Sequence, residues 1–325
     1  MRALTVVAQL QRRWRYMLPA LFCALAAFAA PAQAGPAAAE PVQLREDQDQ
    51  LARAQGAVSI RVHAGGWGAA DPRDIARVLS FVADVLAPAF PRHAGDVIDI
   101  TYRPEGPVTM LERMPDGAYR MYLAVQDTRW DQFTYQFSHE YCHIVTNAEQ
   151  RVRQDTAVRA TQWFEESLCE AISLLALQRI GPLWERAAPV ATVPGYAGAF
   201  GEYAAQLINQ AHRRLPPGTA PERPLETWYL ANRADLQRDP YVRAKNEVVA
   251  NALYAWLDST PGALEAIGYL GVDGVQPVGA GQAFSAYLER WRTATPPRLR
   301  DTLMRVPALF GITLPDAPAM RVATR

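Results

Sequence analysis

Lysine is all but missing from this 325-residue chain: Lys245 is the only one. Arginine carries the positive charge instead, scattered without a basic stripe. Lysine and arginine together number 33, as do aspartate and glutamate, so the formal net charge is zero. Balance and scatter together argue against a nucleic-acid-binding surface. Arginine in place of lysine, beside abundant alanine and proline, reads as GC-rich codon usage rather than as a phosphate-binding surface. Cysteine is scarce, with three in all, too few for a disulfide scaffold. No apolar run reaches the roughly 20 residues that a membrane-spanning helix needs, and no fixed-period repeat is visible. What remains is ordinary: half the residues are hydrophobic and 20% are charged, a composition that folds and is not disordered.

The first residues have the form of an export signal. Residues 11–16 (QRRWRY) are basic, residues 17–30 carry no charge, and Ala32-Gln33-Ala34 is a small-x-small cleavage pattern. Cleavage is expected after Ala34, which makes residues 1–34 a signal peptide and leaves no stable membrane span; an uncleaved anchor is the alternative. The mature chain then carries 29 basic against 33 acidic groups, a net −4. It is expected in the periplasm or secreted, and it keeps two cysteines, Cys142 and Cys169.

Residues 35–56 are largely polar and read as a flexible leader. Strands are expected at 58–62, 96–102 and 119–125, where apolar and polar residues alternate. Between the first two, Asp71-Pro72 opens a helix as N-cap and first helical residue, and Pro88 and Pro91 end it. Helical patterns cover 129–147, 160–180, 198–214, 241–258 and 282–293. Gly181-Pro182, Pro194-Gly195, residues 215–218 and the glycine-rich stretch 271–282 separate them. The order predicts an α+β fold: a small mixed α/β lobe (57–127), two central helices (128–180) and a mainly helical C-terminal lobe (181–325).

Residues 139–143 read His-Glu-Tyr-Cys-His. Four residues apart on a helix, His139 and His143 emerge on one face, one turn apart. Two imidazoles so placed can bind one Zn²⁺ at about 2.0–2.1 Å. Glu140 lies about 100° round the helix, where it can reach a water molecule rather than the ion and act as general base. By composition alone an accidental match arises in about one chain in a hundred. The apolar spacing of Trp130, Phe133, Phe137, Tyr141, Ile144 and Val145 adds a helix on which the motif can be buried.

A third ligand comes from the next helical pattern, Trp163-Phe164-Glu165-Glu166-Ser167-Leu168-Cys169-Glu170. Glu166 and Glu170 share one face, and two stacked carboxylates on a buried helix are costly unless compensated. A metal ion and its histidine would compensate them, with Glu166 as ligand and Glu170 accepting a ring N–H from a ligand histidine. A solvated helix face is the bland alternative. His63 and His93 are read as structural or surface histidines. Tyr135, one turn before His139, is read as core packing or as a wall of the site.

HEYCH followed by WFEESLCE resembles the gluzincin metallopeptidases, the thermolysin-like and peptidase-MA-like group. There a glutamate on the helix after HExxH completes the zinc site, often within Trp-x-x-Glu-Gly, with an acidic residue one turn later. Trp163, Glu166 and Glu170 match those places. Ser167 stands where the glycine usually is, and 22 residues separate His143 from Glu166, slightly more than in the best-known members; Glu165 is the alternative ligand.

The resemblance implies a zincin-like fold and an exported zinc-dependent hydrolase acting on peptides or proteins. A catalytically silent binding module and a cell-wall peptide hydrolase are the rivals. It also implies that strand 119–125 is the sheet edge beside the cleft, and that a downstream Tyr or His stabilises the oxyanion: Tyr196, Tyr203, His212, Tyr241 or Tyr254. Because the two metal-bearing helices pack together in that family, Cys142 and Cys169 either form a disulfide between them or remain two separate buried thiols.

Overall fold

The computed structural model describes residues 57–146, 159–216, 222–272 and 283–315. The expected signal peptide (1–34) and the expected leader (35–56) lie outside the described residues.

The fold is mixed α+β. Four strands, β1 (Ser59–Val62), β2 (Val97–Tyr102), β3 (Val108–Thr109) and β4 (Tyr119–Leu123), form one sheet in the order β1-β2-β4-β3. β1, β2 and β4 run parallel, with Ile60 beside Ile98 and Ile100 beside Met121. β3 is antiparallel to β4 and pairs Thr109 with Met121. The expectation that 119–125 forms the sheet edge is therefore corrected: β4 is interior and the edge strands are β1 and β3. Two residues within a Pro/Gly-rich connection carry no alternation to read. β4 also stops at Leu123, because the Ala124 N–H turns to the Gln136 side chain at 2.9 Å.

Helix α1 (Pro72–Leu86) connects β1 to β2. Asp71 caps it, accepting from the Arg73 N–H at 2.8 Å. Ile75, Val78, Leu79, Val82 and Leu86 are fully buried, each worth roughly 1.5–3 kcal/mol over exposure. The stripe faces the sheet and α2 (Trp130–Val145). Unlike α1, α2 is buried nearly all round, with Ser138, His139, Glu140 and His143 inside along with the aromatics.

α3 (Arg159–Ala187) does not end at Gly181-Pro182 as expected; it runs through both. Gly181 has no Cβ to clash with the proline ring, and the extra turn buries Trp184 against Phe200, 4.9 Å between centroids. α4 (Ala197–Ile208) is shorter than the pattern at 198–214 predicts, and a 3-10 turn at Ala211–Arg213 follows it. The Asn209 side chain bonds the Ala205 carbonyl at 2.8 Å and ends the helix. Then come α5 (Pro224–Arg238), α6 (Arg243–Ser259), α7 (Ala263–Ile267), α8 (Ala283–Ala294) and α9 (Pro297–Leu309). Trp163 and Phe164 of α3 pack among Tyr229, Phe284 and Phe310, with Trp163 and Phe284 4.8 Å apart. One contiguous hydrophobic core thus joins the sheet to the C-terminal helices. Among the described residues no helix is long and apolar enough to cross a membrane.

Candidate metal centre

α2 and α3 lie against each other at the middle of the core. Tyr196 fixes the start of α2: its hydroxyl accepts the Trp130 N–H at 2.7 Å and lies 3.0 Å from the Asp131 carboxylate. At the other end the Thr146 hydroxyl donates to the Cys142 carbonyl at 2.9 Å. Of the two readings of the cysteines, the structure has the disulfide: Cys142 and Cys169 are bonded, with Cα atoms 5.2 Å apart. A bridge over a sequence separation of 27 stabilises the fold by about 3–4 kcal/mol on chain-entropy grounds.

On these helices His139 and His143 stand edge to face, ring centroids 5.1 Å apart. Both turn Nε2 toward Glu166, at 3.6 Å from His139 to Oε2 and 3.8 Å from His143 to Oε1. One potential ligand atom from each of the three residues lies within 4.8 Å of the others. Two ligands tetrahedrally bound at about 2.05 Å stand about 3.3 Å apart, so a small contraction would seat an ion. All three residues are buried.

The surroundings fit a cation. Glu140, Glu165, Glu166 and Glu170 are all nearly inaccessible, at 0, 3, 7 and 6%, and four buried carboxylates need compensating positive charge. Without an ion, His139 supplies part of it. Burial works against its charged form, but Glu166 and Glu170, then the charges of Glu140 and Glu166, raise its pKa from 6.5 to about 9. Binding an ion must displace that proton. Apparent metal affinity is expected to fall about tenfold per pH unit below about 9, readable by competition titration between pH 6 and 9. In the metal-free protein the sign reverses. The stabilisation is complete below 6.5, the ordinary histidine value, and is lost as pH rises through about 9.

The remaining carboxylates sit behind the imidazoles. Glu165 is the alternative ligand in the sequence reading; the structure puts its Oε1 3.0 Å from His143 Nδ1, on the opposite side from Glu166. With Nδ1–H donated to Glu165, Nε2 keeps its lone pair for a metal. Thr146 Oγ1 steadies the same carboxylate at 3.3 Å. Glu170 lies 3.7 Å from His139 Nδ1, longer than a hydrogen bond. Its nearer partners are the Tyr135 hydroxyl and Arg213, the latter at 2.7 Å. Burial opposes its ionisation, yet Arg213, His139 and Arg243 hold it well below the usual carboxylate range.

Behind Glu170 is a charge cluster that sequence reasoning missed. Glu247 Oε1 accepts from Arg213 at 2.8 Å and from Arg243 at 2.6 Å, and its Oε2 meets His212 at 2.5 Å. These residues come from α6 and the turn before α5, and nothing in local pattern marks a buried arginine. Glu140 is fully buried, and Thr109 of β3 donates to its backbone carbonyl at 3.0 Å. The edge strand is thereby tied to the helix at the proposed base.

The oxyanion candidates separate. Tyr196 is held at the start of α2 and His212 on Glu247. Tyr241 accepts from Gln162 at 2.7 Å, and Tyr254 is packed against the core. Tyr203 stands edge-on to Tyr135 at 5.7 Å; burial raises its pKa, with help from Asp131 and Glu170. His93 is bound to Asp96 at 2.9 Å and His63 lies 3.6 Å from Asp99, and neither belongs to the converging ligand groups. A small open cleft lined by Phe90, His93, Glu265 and Tyr269 holds none of the site residues. The chain matches no protein-family model, and no significant match to a curated protein or a solved structure is found.

Proposed function

We propose that this protein is an exported zinc-dependent hydrolase of gluzincin type, a metallopeptidase acting on peptide or protein substrates. The observation that carries the reading is the convergence of His139, His143 and Glu166 ligand atoms within 4.8 Å on two disulfide-joined helices. His139 Nε2, His143 Nε2 and the Glu166 carboxylate would hold Zn²⁺. Bound there, the ion supplies Lewis acidity and lowers the pKa of a water molecule at its open position.

The chain's own groups do the rest. Glu165 orients the His143 imidazole from behind, and the Glu170 carboxylate lies 3.7 Å behind His139 Nδ1. The Glu140 carboxylate takes a proton from the attacking water and returns it to the leaving amine. Its charge is felt at His139, as expected of a base beside the ligand set. The buried disulfide suits an oxidising compartment, in keeping with export.

Hydrolysis of an unfolded protein substrate by purified enzyme tests the reading. A strong chelator is expected to abolish cleavage and stoichiometric Zn²⁺ to restore it. Cleavage that survives complete metal removal contradicts it.

A further inference from the structure

The two ring nitrogens of His143 face different sets of ligands. Nε2 looks to Glu166 and His139, whereas Nδ1 lies 3.0 Å from Glu165 Oε1 and 3.7 Å from Cys169 Sγ. The second set, His143, Glu165 and Cys169, also brings one potential ligand atom from each residue within 4.8 Å, all of them buried. Only the bond to Cys142 withholds the sulfur.

We propose that the Nδ1 side of His143 is a second, redox-gated metal site, formed by His143, Glu165 and Cys169 when the Cys142–Cys169 disulfide is reduced. Its ion is a thiophilic divalent cation such as Zn²⁺, Cd²⁺ or Co²⁺. The reductant is a dithiol: two electrons and two protons go to the sulfurs, the S–S bond breaks, and the dithiol leaves as a cyclic disulfide. The metal then displaces the thiol protons of Cys169 and Cys142 to solvent. Cys142, released beside it, is the fourth donor, which completes a Cys₂-His-carboxylate set of the tetrahedral kind zinc favours.

A neutral imidazole has one lone pair to give. An ion on Nδ1 leaves the ring proton on Nε2, so the ion on the Glu166 side loses a ligand. Reduction therefore dismantles the first centre as it builds the second. The disulfide acts as a guard that keeps His143 facing Glu166. This inference stands on the ligand geometry and does not require the hydrolase reading.

Anaerobic Co²⁺ titration tests it in three samples: oxidised wild type, wild type reduced by a dithiol that is then removed, and Cys142→Ser. A thiolate-to-cobalt charge-transfer band is expected in the reduced protein and in Cys142→Ser, saturating at one equivalent. It is expected to be absent from oxidised wild type and from Cys142→Ser/Cys169→Ser. Folded, reduced protein with two titratable thiols but no such band overturns the proposal, whether or not Cys142→Ser folds. If oxidised wild type takes up no cobalt while the reduced protein gains the band, the hydrolase centre fails and this site stands.

Discussion

Glu140→Gln is expected to retain its zinc and lose hydrolysis by a factor of about 10²–10⁴, the usual worth of a positioned general base. The substitution replaces a carboxylate by an amide of almost equal size, so the fully buried site is not reshaped. The amide cannot accept the water's proton. His139, His143 and Glu166 are untouched, so metal content measured by atomic emission is expected to equal that of wild type. The loss is expected in kcat, with KM little changed, because the proton moves only as the transition state forms. Near-normal turnover in a metal-replete variant removes Glu140 from the mechanism.

The second large effect lies away from the ligands. The Arg213 side chain has no exposed surface and neutralises Glu170 at 2.7 Å and Glu247 at 2.8 Å. Arg213→Ala strips the shared cation from two buried carboxylates. Breaking a buried ion pair from one side costs about 3–5 kcal/mol, a large part of a domain's whole stability. The denaturant midpoint is expected to fall accordingly with the slope unchanged. Arg298→Ala is the control: its pair with Glu265 is on the surface, where such pairs contribute little, and the midpoint is expected to stay nearly where it was. Equal effects from the two variants would mean that the cluster does not hold Glu170 in place. Loss of Arg213 also releases the carboxylate behind His139, so weaker zinc binding is expected in whatever fraction remains folded.

What could be read from residues alone follows from how local the signal is. Asp71-Pro72 announced α1 because capping and the proline act within one turn. The His139–His143 pair was legible for the same reason: four residues on a helix fix one face. The partnering of α2 with α3 depends on tertiary packing, and only the acidic face of α3 and the family resemblance pointed to it. Glu165 shows the limit. One residue from Glu166, it sits about 100° round the helix, and the structure sets it on Nδ1 rather than Nε2 of His143. Spacing ranks such neighbours only when the rotation of α3 is known.

Other misses have equally physical causes. α5 buries only Leu225, Trp228, Tyr229 and Leu236, too sparse an apolar set to stand out. α9 carries Leu299, Leu303 and Val306 at helical spacing, but it has a proline at its first position and another, Pro307, inside it, which obscures the pattern. Pro297 in fact starts the helix, where a missing N–H costs nothing. Tyr196, a candidate for oxyanion binding by residue type, is taken up in capping α2. Arg213 escaped because burial of an arginine is decided by partner carboxylates tens of residues away, Glu170 and Glu247 here, whereas Arg243 is half-buried and pairs with Glu247 one turn along its own helix.

The most direct test of the metal centre is a calorimetric Zn²⁺ titration of oxidised, metal-free protein alongside Glu166→Ala and His143→Ala. The account predicts one tightly bound equivalent in wild type and its loss in both variants while each remains folded. A wild-type protein that takes up no zinc, or a Glu166→Ala variant that binds it as tightly as wild type, would contradict the account.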